Sequence, residues 1–237
     1  MNEEVRDENF SFPLNSVIGL QAEACFEAFL KASKNYKLLS ANLQIQDEKE
    51  TLGEIDYIIQ NIKTHQVIHI ELACKFYLFD KDAFTSEEEK WIGPNRKDSL
   101  FEKLEKIKHK QFPILQKTET IETLKSLDIE IPSVQELCLK AFLFIPKEMK
   151  TQDFPINYQE CIVGNWIKFE NFDREDKNAF YSIPNKKEWL LPLDQVSEWY
   201  SFSEIKVEIG RQININKSTL IYKKTQKSIE RFFIGWW

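Results

Sequence analysis

Two runs rich in β-branched and aromatic residues, Gly53 to Gln60 and Gln66 to Leu78, are separated by a stretch too short for anything but a turn, so they read as an antiparallel hairpin. The polar residues Asn61 to Gln66 make that turn, and a hairpin centred between Lys63 and Thr64 sets Asp56 opposite Glu71. Side chains alternate along a strand, and directly opposed residues share a face. Glu54, Asp56, Glu71, Ala73 and Lys75 are therefore expected on one side, with Ile55, Tyr57, Ile70, Leu72, Cys74 and Phe76 on the other. Opposed carboxylates repel, and removing them from water costs more, so the pattern asks for a compensating cation. A divalent metal meets that demand, and Lys75 adds a positive charge that neutralises the cluster or points at a phosphate.

The surrounding chain supplies more elements of an α/β protein. Apolar Ile18, Ala22, Cys25, Phe26 and Phe29 recur at helical spacing, with Gln21, Glu27 and Lys31 elsewhere around the circumference, which predicts an amphipathic helix over Ile18 to Ala32. Glu23 sits at the margin of that stripe. Tyr36 to Ile45 reads as a strand, so three consecutive strands make a meander. A turn is expected at Trp91 to Asn95, then a helix from Asp98 to Gln111 with Leu100, Phe101, Leu104 and Ile107 on one side, which must end or kink at Pro113. A short helical insertion around Thr120 to Ser126 and a strand over Leu137 to Ile145 follow. Further on come a possible helix over Tyr158 to Phe169, strands near Ala179 to Ile183 and Ser218 to Lys224, and an apolar end, Phe232 to Trp237, expected to pack on the sheet or at a subunit contact.

Composition narrows the function classes. With 42% apolar residues in 237, the chain can bury a sizeable core. A net charge of −6 confines any nucleic-acid contact to a local basic face. Cys25, Cys74, Cys138 and Cys161 form no close pairs and read as reduced core residues, while His65, His69 and His109 lack the spacing of a zinc site. The acidic N-terminus has no apolar leader, and no run reaches the roughly 18 apolar residues of a membrane span, so a cytoplasmic protein is expected. Neither a Gly-x-Ser-x-Gly elbow nor a Gly-rich phosphate loop occurs.

Gly19, Glu23, Tyr36, Leu39 and Asn42, followed by Gly-Glu-Ile-Asp at 53–56 and His-Ile-Glu-Leu-Ala-Cys-Lys at 69–75, resemble the PD-(D/E)xK nuclease superfamily, in particular its Holliday-junction-resolvase-like branch. The stretch Glu-Leu-Ala-x-Lys-Phe-Tyr-Leu at 71–78 is similar to an uncharacterised bacterial family grouped there. The resemblance covers roughly residues 17–145. It implies a restriction-endonuclease-like core (helix, three-strand meander, helix, strand, in a mixed sheet) over residues 1–148 and a C-terminal α+β extension over 149–237. It further implies hydrolysis of a nucleic-acid phosphodiester, DNA before RNA, with Asp56 and Glu71 holding Mg2+ (or Mn2+), the backbone carbonyl near Leu72 completing its shell and Glu23 as an auxiliary ligand. Glu54 stands in support. Where the superfamily has Glu-x-Lys this chain has Ala73, so the catalytic lysine has moved to Lys75 or is absent. The alternative is a catalytically silent protein of that fold, binding nucleic acid or a protein partner.

Other features have plainer readings. Lys103, Lys106, Lys108 and Lys110 either contact phosphates or, diluted by Glu102 and Glu105, form an ordinary salt-bridged helix face. Gln111, on the apolar side, is a group supporting the site or a core-edge glutamine. The six Trp offer stacking platforms for unpaired bases or, more simply, core.

Overall fold

The structure is a computed structural model and describes residues 10–237 apart from 49, 84, 85 and 197; the acidic segment 1–9 lies outside the described residues. Among the described residues nine strands form one mixed sheet: β1 (Tyr36–Gln46), β2 (Thr51–Asn61), β3 (Val67–Phe79), β4 (Trp91–Ile92), β5 (Val134–Pro146), β6 (Ile162–Lys168), β7 (Phe180–Ser182), β8 (Thr219–Lys224) and β9 (Ile229–Gly235). Their order is β1-β2-β3-β5-β6-β9-β8-β7, with β4 beside β3. With its helices this is an α/β architecture. The chain divides into two compact units, each discontinuous in sequence: Met1–Cys74 with Lys103–Lys140, and Lys75–Glu102 with Ala141–Trp237.

In the first unit β1, β2 and β3 make the expected antiparallel meander. Tyr57 pairs with Ile70, Ile58 with His69 and Gln60 with Val67, which is the register of a hairpin centred between Lys63 and Thr64. One core joins Phe26 and Leu30 of α1 (Ile18–Ala32) to Tyr57, Ile59, Ile68 and Ile70. A second joins Ile45, Ile55, Ile58 and Val67 to Ile114, Leu115 and to Leu124 of α3 (Thr118–Ser126). Each such fully buried side chain contributes about 1.5–3 kcal/mol.

The buried face of α1 differs from the one expected. Gln21 is fully buried and its amide donates to the carbonyls of Pro13 and Leu14, both at 3.4 Å, whereas Cys25 is exposed. A glutamine reads as solvent-facing until a neighbouring loop offers it acceptors. All four cysteines are reduced thiols, but Cys74, Cys138 and Cys161 are only half-buried, so the expectation of core cysteines fails.

The helix expected over Asp98 to Gln111 is composite. Its α-helical part, α2, is Leu100–Lys106; a wider π-helical turn covers Ile107–Gln111, and a tight 3-10 segment, Phe112–Gln116, begins around Pro113. Proline has no N–H to give and fits the first turn of a new segment, so the helix changes type there. Leu100 and Ile107 are buried, but Phe101 is 39% exposed and does not belong to their side.

In the second unit β6 runs parallel to β5 and to β9, while β8 and β7 add antiparallel strands. The C-terminal apolar run is thus a sheet strand, with Phe233 and Ile234 fully buried. The possible helix over Tyr158 to Phe169 is a short turn, α4 (Ile156–Gln159), followed by β6. The apolar residues of β6 come in adjacent pairs four apart, Ile162–Val163 and Trp166–Ile167, a spacing that lets the strand pass for a helix. Gly164 reveals it: a Cβ there would lie 2.5 Å from the Arg231 carbonyl. Trp91 and Ile92, expected in a turn, pair with Phe79 and Leu78 as β4, and the turn starts at Gly93. The helix α5 (Phe202–Asn214) was not anticipated, although Ser201 and Glu204 form the capping box that announces it.

Candidate active site at Asp56 and Glu71

The β2–β3 ladder ends at the pair Tyr57–Ile70, one step before Asp56 and Glu71 would face each other. There the Leu72 N–H turns to a side chain instead and donates to Asp56 Oδ2 at 2.8 Å. On the other flank, Ala41 pairs with Tyr57 and Leu43 with Ile55, while Asn42 between them adopts a left-handed conformation with φ 51°. Asparagine tolerates that region better than most residues. Asp56 therefore sits where regular pairing lapses on both sides. The alternation breaks with it: Ile55 packs with Ile45, Ile58 and Val67, whereas Tyr57 packs with Phe26, Leu30 and Ile70. The expectation that Ile55 and Tyr57 share a face is corrected accordingly.

Glu71 is fully buried. Its Oε1 lies 2.8 Å from His69 Nε2, and its Oε2 accepts from the Gln111 amide. The Gln135 amide nitrogen donates to the Phe112 carbonyl at 2.7 Å and lies 3.1 Å from His69 Nδ1. An amide NH2 only donates, so Nδ1 accepts and the imidazole is neutral, with its proton on Nε2 directed at Glu71. Gln111 in turn accepts from Lys103 Nζ at 3.1 Å through its Oε1. Two neutral N–H donors thus orient Glu71, and the π-helical turn that ends at Gln111 carries one of them.

Asp56 is half-buried, and its carboxyl is pushed up to about 6, first by burial and then by the charge of Glu71, with Glu54 adding to the rise. The Leu72 N–H and the Lys103 ammonium act in the opposite direction without prevailing. Glu54 takes a hydrogen bond from Gln44. Glu23 is half-buried and its carboxyl is raised by burial, then by Glu54 and Glu27; its backbone carbonyl accepts from Tyr57 Oη at 3.3 Å. The structure therefore brings together Asp56, Glu71 and the Leu72 N–H, with Glu54 close enough to act on both Asp56 and Glu23. Lys75, in the second unit, donates to Asp98 at 2.7 Å, with its side chain 37% exposed.

His69, Gln135 and Lys103 were not placed at this site by sequence reasoning. His69 stands two residues before Glu71 on the same strand, a parity that signals a shared face. Gln135 carries no such signal.

Among the described residues no group of three or more His, Cys, Asp or Glu side chains is arranged to hold a metal ion. Mg2+ asks for less, because it keeps several waters and binds through one or two carboxylates. Asp56 and Glu71 supply hard oxygen donors in a like-charged pair, and the two N–H groups on Glu71 leave lone pairs on each of its oxygens. The donor types are those such a cation takes, while both Glu71 oxygens are already engaged by protein donors and the side chain is fully buried. No curated protein and no solved structure matches the chain. Residues 4–228 match the model of the family described as a domain of unknown function, DUF1853, and the chain belongs to that family.

Proposed function

We propose that this protein is a metal-dependent nuclease that hydrolyses nucleic-acid phosphodiester bonds at a centre built on Asp56 and Glu71. The observation that carries the reading is the pair itself: two carboxylates held together at a break in the sheet, one of them raised to about 6 by burial and by the other's charge. That is an unfavourable arrangement unless a cation joins it. Asp56 and Glu71 would hold Mg2+ or Mn2+, which when bound supplies a Lewis acid for the phosphate and lowers the pKa of water.

The chain's own groups have separable tasks in this reading. His69 and Gln111 fix the Glu71 carboxylate, and the Leu72 N–H fixes Asp56 Oδ2, so the ligands need little reorganisation. Lys103 favours the ionised form of Asp56. Lys75 is the strand cation that the sequence resemblance assigns to the phosphate or the nucleophile; in the structure it donates to Asp98. Glu23 and Glu54 add negative charge around the pair.

The test is cleavage of single-stranded, duplex and branched DNA and RNA with Mg2+ or Mn2+, comparing wild type with Asp56→Asn, Lys75→Met and Lys103→Met. Cutting that requires metal and is lost in Asp56→Asn supports the nuclease, and the two lysine variants show which cation it uses. A catalytically silent binding protein is the second reading, favoured by the complete burial of Glu71 between protein donors. Under it no substrate is cut, and nucleic acid or a protein partner binds wild type and Asp56→Asn alike.

A further inference from the structure

We infer, resting on the nuclease reading above, that Lys103 of α2 rather than Lys75 of β3 binds a phosphate oxygen of the nucleic-acid substrate at the centre built on Asp56 and Glu71. Two carboxylates repel a phosphodiester as they repel each other, and one divalent cation only cancels their charge. A fixed ammonium beside them draws the phosphate in and stabilises the charge that develops on it.

The helix places one lysine for this task. Lys103 follows Leu100 by three residues and precedes Ile107 by four, so it shares a side with both, and both are buried. It is itself half-buried, whereas Lys106, Lys108 and Lys110 are exposed. Its Nζ donates to Gln111 Oε1 at 3.1 Å, and the Gln111 amide donates to Glu71 Oε2. Two hydrogen bonds therefore connect the ammonium to one carboxylate of the pair. The same charge acts on the other carboxylate, where it favours the ionised form of Asp56. Lys103, Gln111, Glu71 and Asp56 all belong to the first unit.

Lys75 is placed differently. It belongs to the second unit, where its Nζ donates to Asp98 at 2.7 Å. A lysine paired with a carboxylate presents little net charge to a phosphate. Lys103 instead meets a neutral amide that is fixed on a carboxylate of the pair, so its position is tied to that of Glu71 before any substrate arrives. An ammonium suits the task, because lysine binds phosphate as a compact point charge.

The experiment is a fluorescence-anisotropy titration of a labelled duplex DNA oligonucleotide with the full chain in Ca2+, across roughly 50–200 mM salt. Mn2+ binding and Mg2+-dependent cleavage are measured alongside, for wild type, Lys103→Gln, Lys103→Arg and Lys75→Gln. Lys103→Gln keeps an N–H donor and removes the charge. It should weaken DNA binding about tenfold, lower the salt slope by about 0.9, the value for one phosphate contact, and slow cleavage about a hundredfold. Its Mn2+ binding should be no weaker than that of wild type, because no metal ligand is lost. Lys103→Arg should keep the salt slope, and Lys75→Gln should match wild type throughout. The assignment is overturned if Lys103→Gln keeps the wild-type salt slope, since a lysine that only positions Gln111 leaves that slope alone. It is equally overturned if Mn2+ binding falls in Lys103→Gln, or if Lys75→Gln loses as much as Lys103→Gln. Failure of the nuclease reading looks different: wild type itself then binds no Mn2+ and cuts nothing, and the assignment falls with it.

Discussion

The Leu72 N–H donates to Asp56 Oδ2 at 2.8 Å at the point where the β2–β3 ladder stops. A side-chain acceptor thereby replaces the backbone carbonyl that a continued ladder would offer, and the strands can part without leaving a buried N–H unpaired. Asp56 and Glu71 flank the end of that ladder, close enough for the Glu71 charge to act on the Asp56 carboxyl.

The arrangement costs stability when no cation is present. Asp56 titrates at about 6 in the folded protein against 3.8 ordinarily, so the folded state binds its proton more tightly than the unfolded state does. The penalty is full above about 6 and is relieved as pH falls toward the ordinary value. Asp56→Asn keeps an acceptor for Leu72 and removes the charge. In metal-free buffer at pH 8 it should raise Tm by about 2–4 °C, equivalent to about 1 kcal/mol after allowance for solvent screening. The gain should shrink toward zero near pH 4, which melting curves across that range will show.

Gln111 holds one oxygen of a fully buried carboxylate. Gln111→Ala leaves that oxygen without its donor and opens space beside it, so urea unfolding should register a loss of about 1–3 kcal/mol. Lys75→Met, which breaks a half-exposed pair with Asp98, should cost less than about 1 kcal/mol. Equal losses in the two variants would contradict the description of Glu71 as dependent on its donors.

The hairpin was legible in the sequence down to its register, because a short polar turn between two β-rich runs leaves little freedom. What the sequence withheld was its interruption. The left-handed Asn42 and the Leu72 N–H bound to Asp56 undo the simple alternation that would place Ile55 with Tyr57. Gln111, which helical spacing already places on the apolar side, does reach Glu71, although from a π-helical turn rather than from the α-helix expected there. In the second unit β6 reads as a helix because its apolar pairs Ile162–Val163 and Trp166–Ile167 recur four residues apart, and α5 is announced in the sequence only by its Ser201–Glu204 box.

A second buried carboxylate behaves in the opposite sense. Glu175 is buried between Lys147 and Lys223, the latter at 2.9 Å; burial tends to raise its carboxyl, but these two hydrogen-bonded lysines outweigh it and the net shift is downward. Its contribution is present above 4.5 and lost as pH falls through the lower folded value. Glu175→Gln should cost about 3 kcal/mol at neutral pH, since Lys223 is nearly buried and, among the described residues, keeps only Glu230, at 3.0 Å, as an ion-pair partner. Chemical denaturation at pH 7 and pH 4 should show that difference narrowing in acid.

The paired carboxylates are tested most directly by titrating metal-free protein with Mn2+ and counting bound ions by electron paramagnetic resonance at pH 7.5 and pH 5, for wild type, Asp56→Asn and Glu71→Gln. One site in the wild type, weakened at pH 5 where Asp56 is largely protonated and abolished in both variants, is the predicted result. No bound Mn2+ in the wild type, or a site that survives both substitutions, would contradict a divalent-cation centre at Asp56 and Glu71.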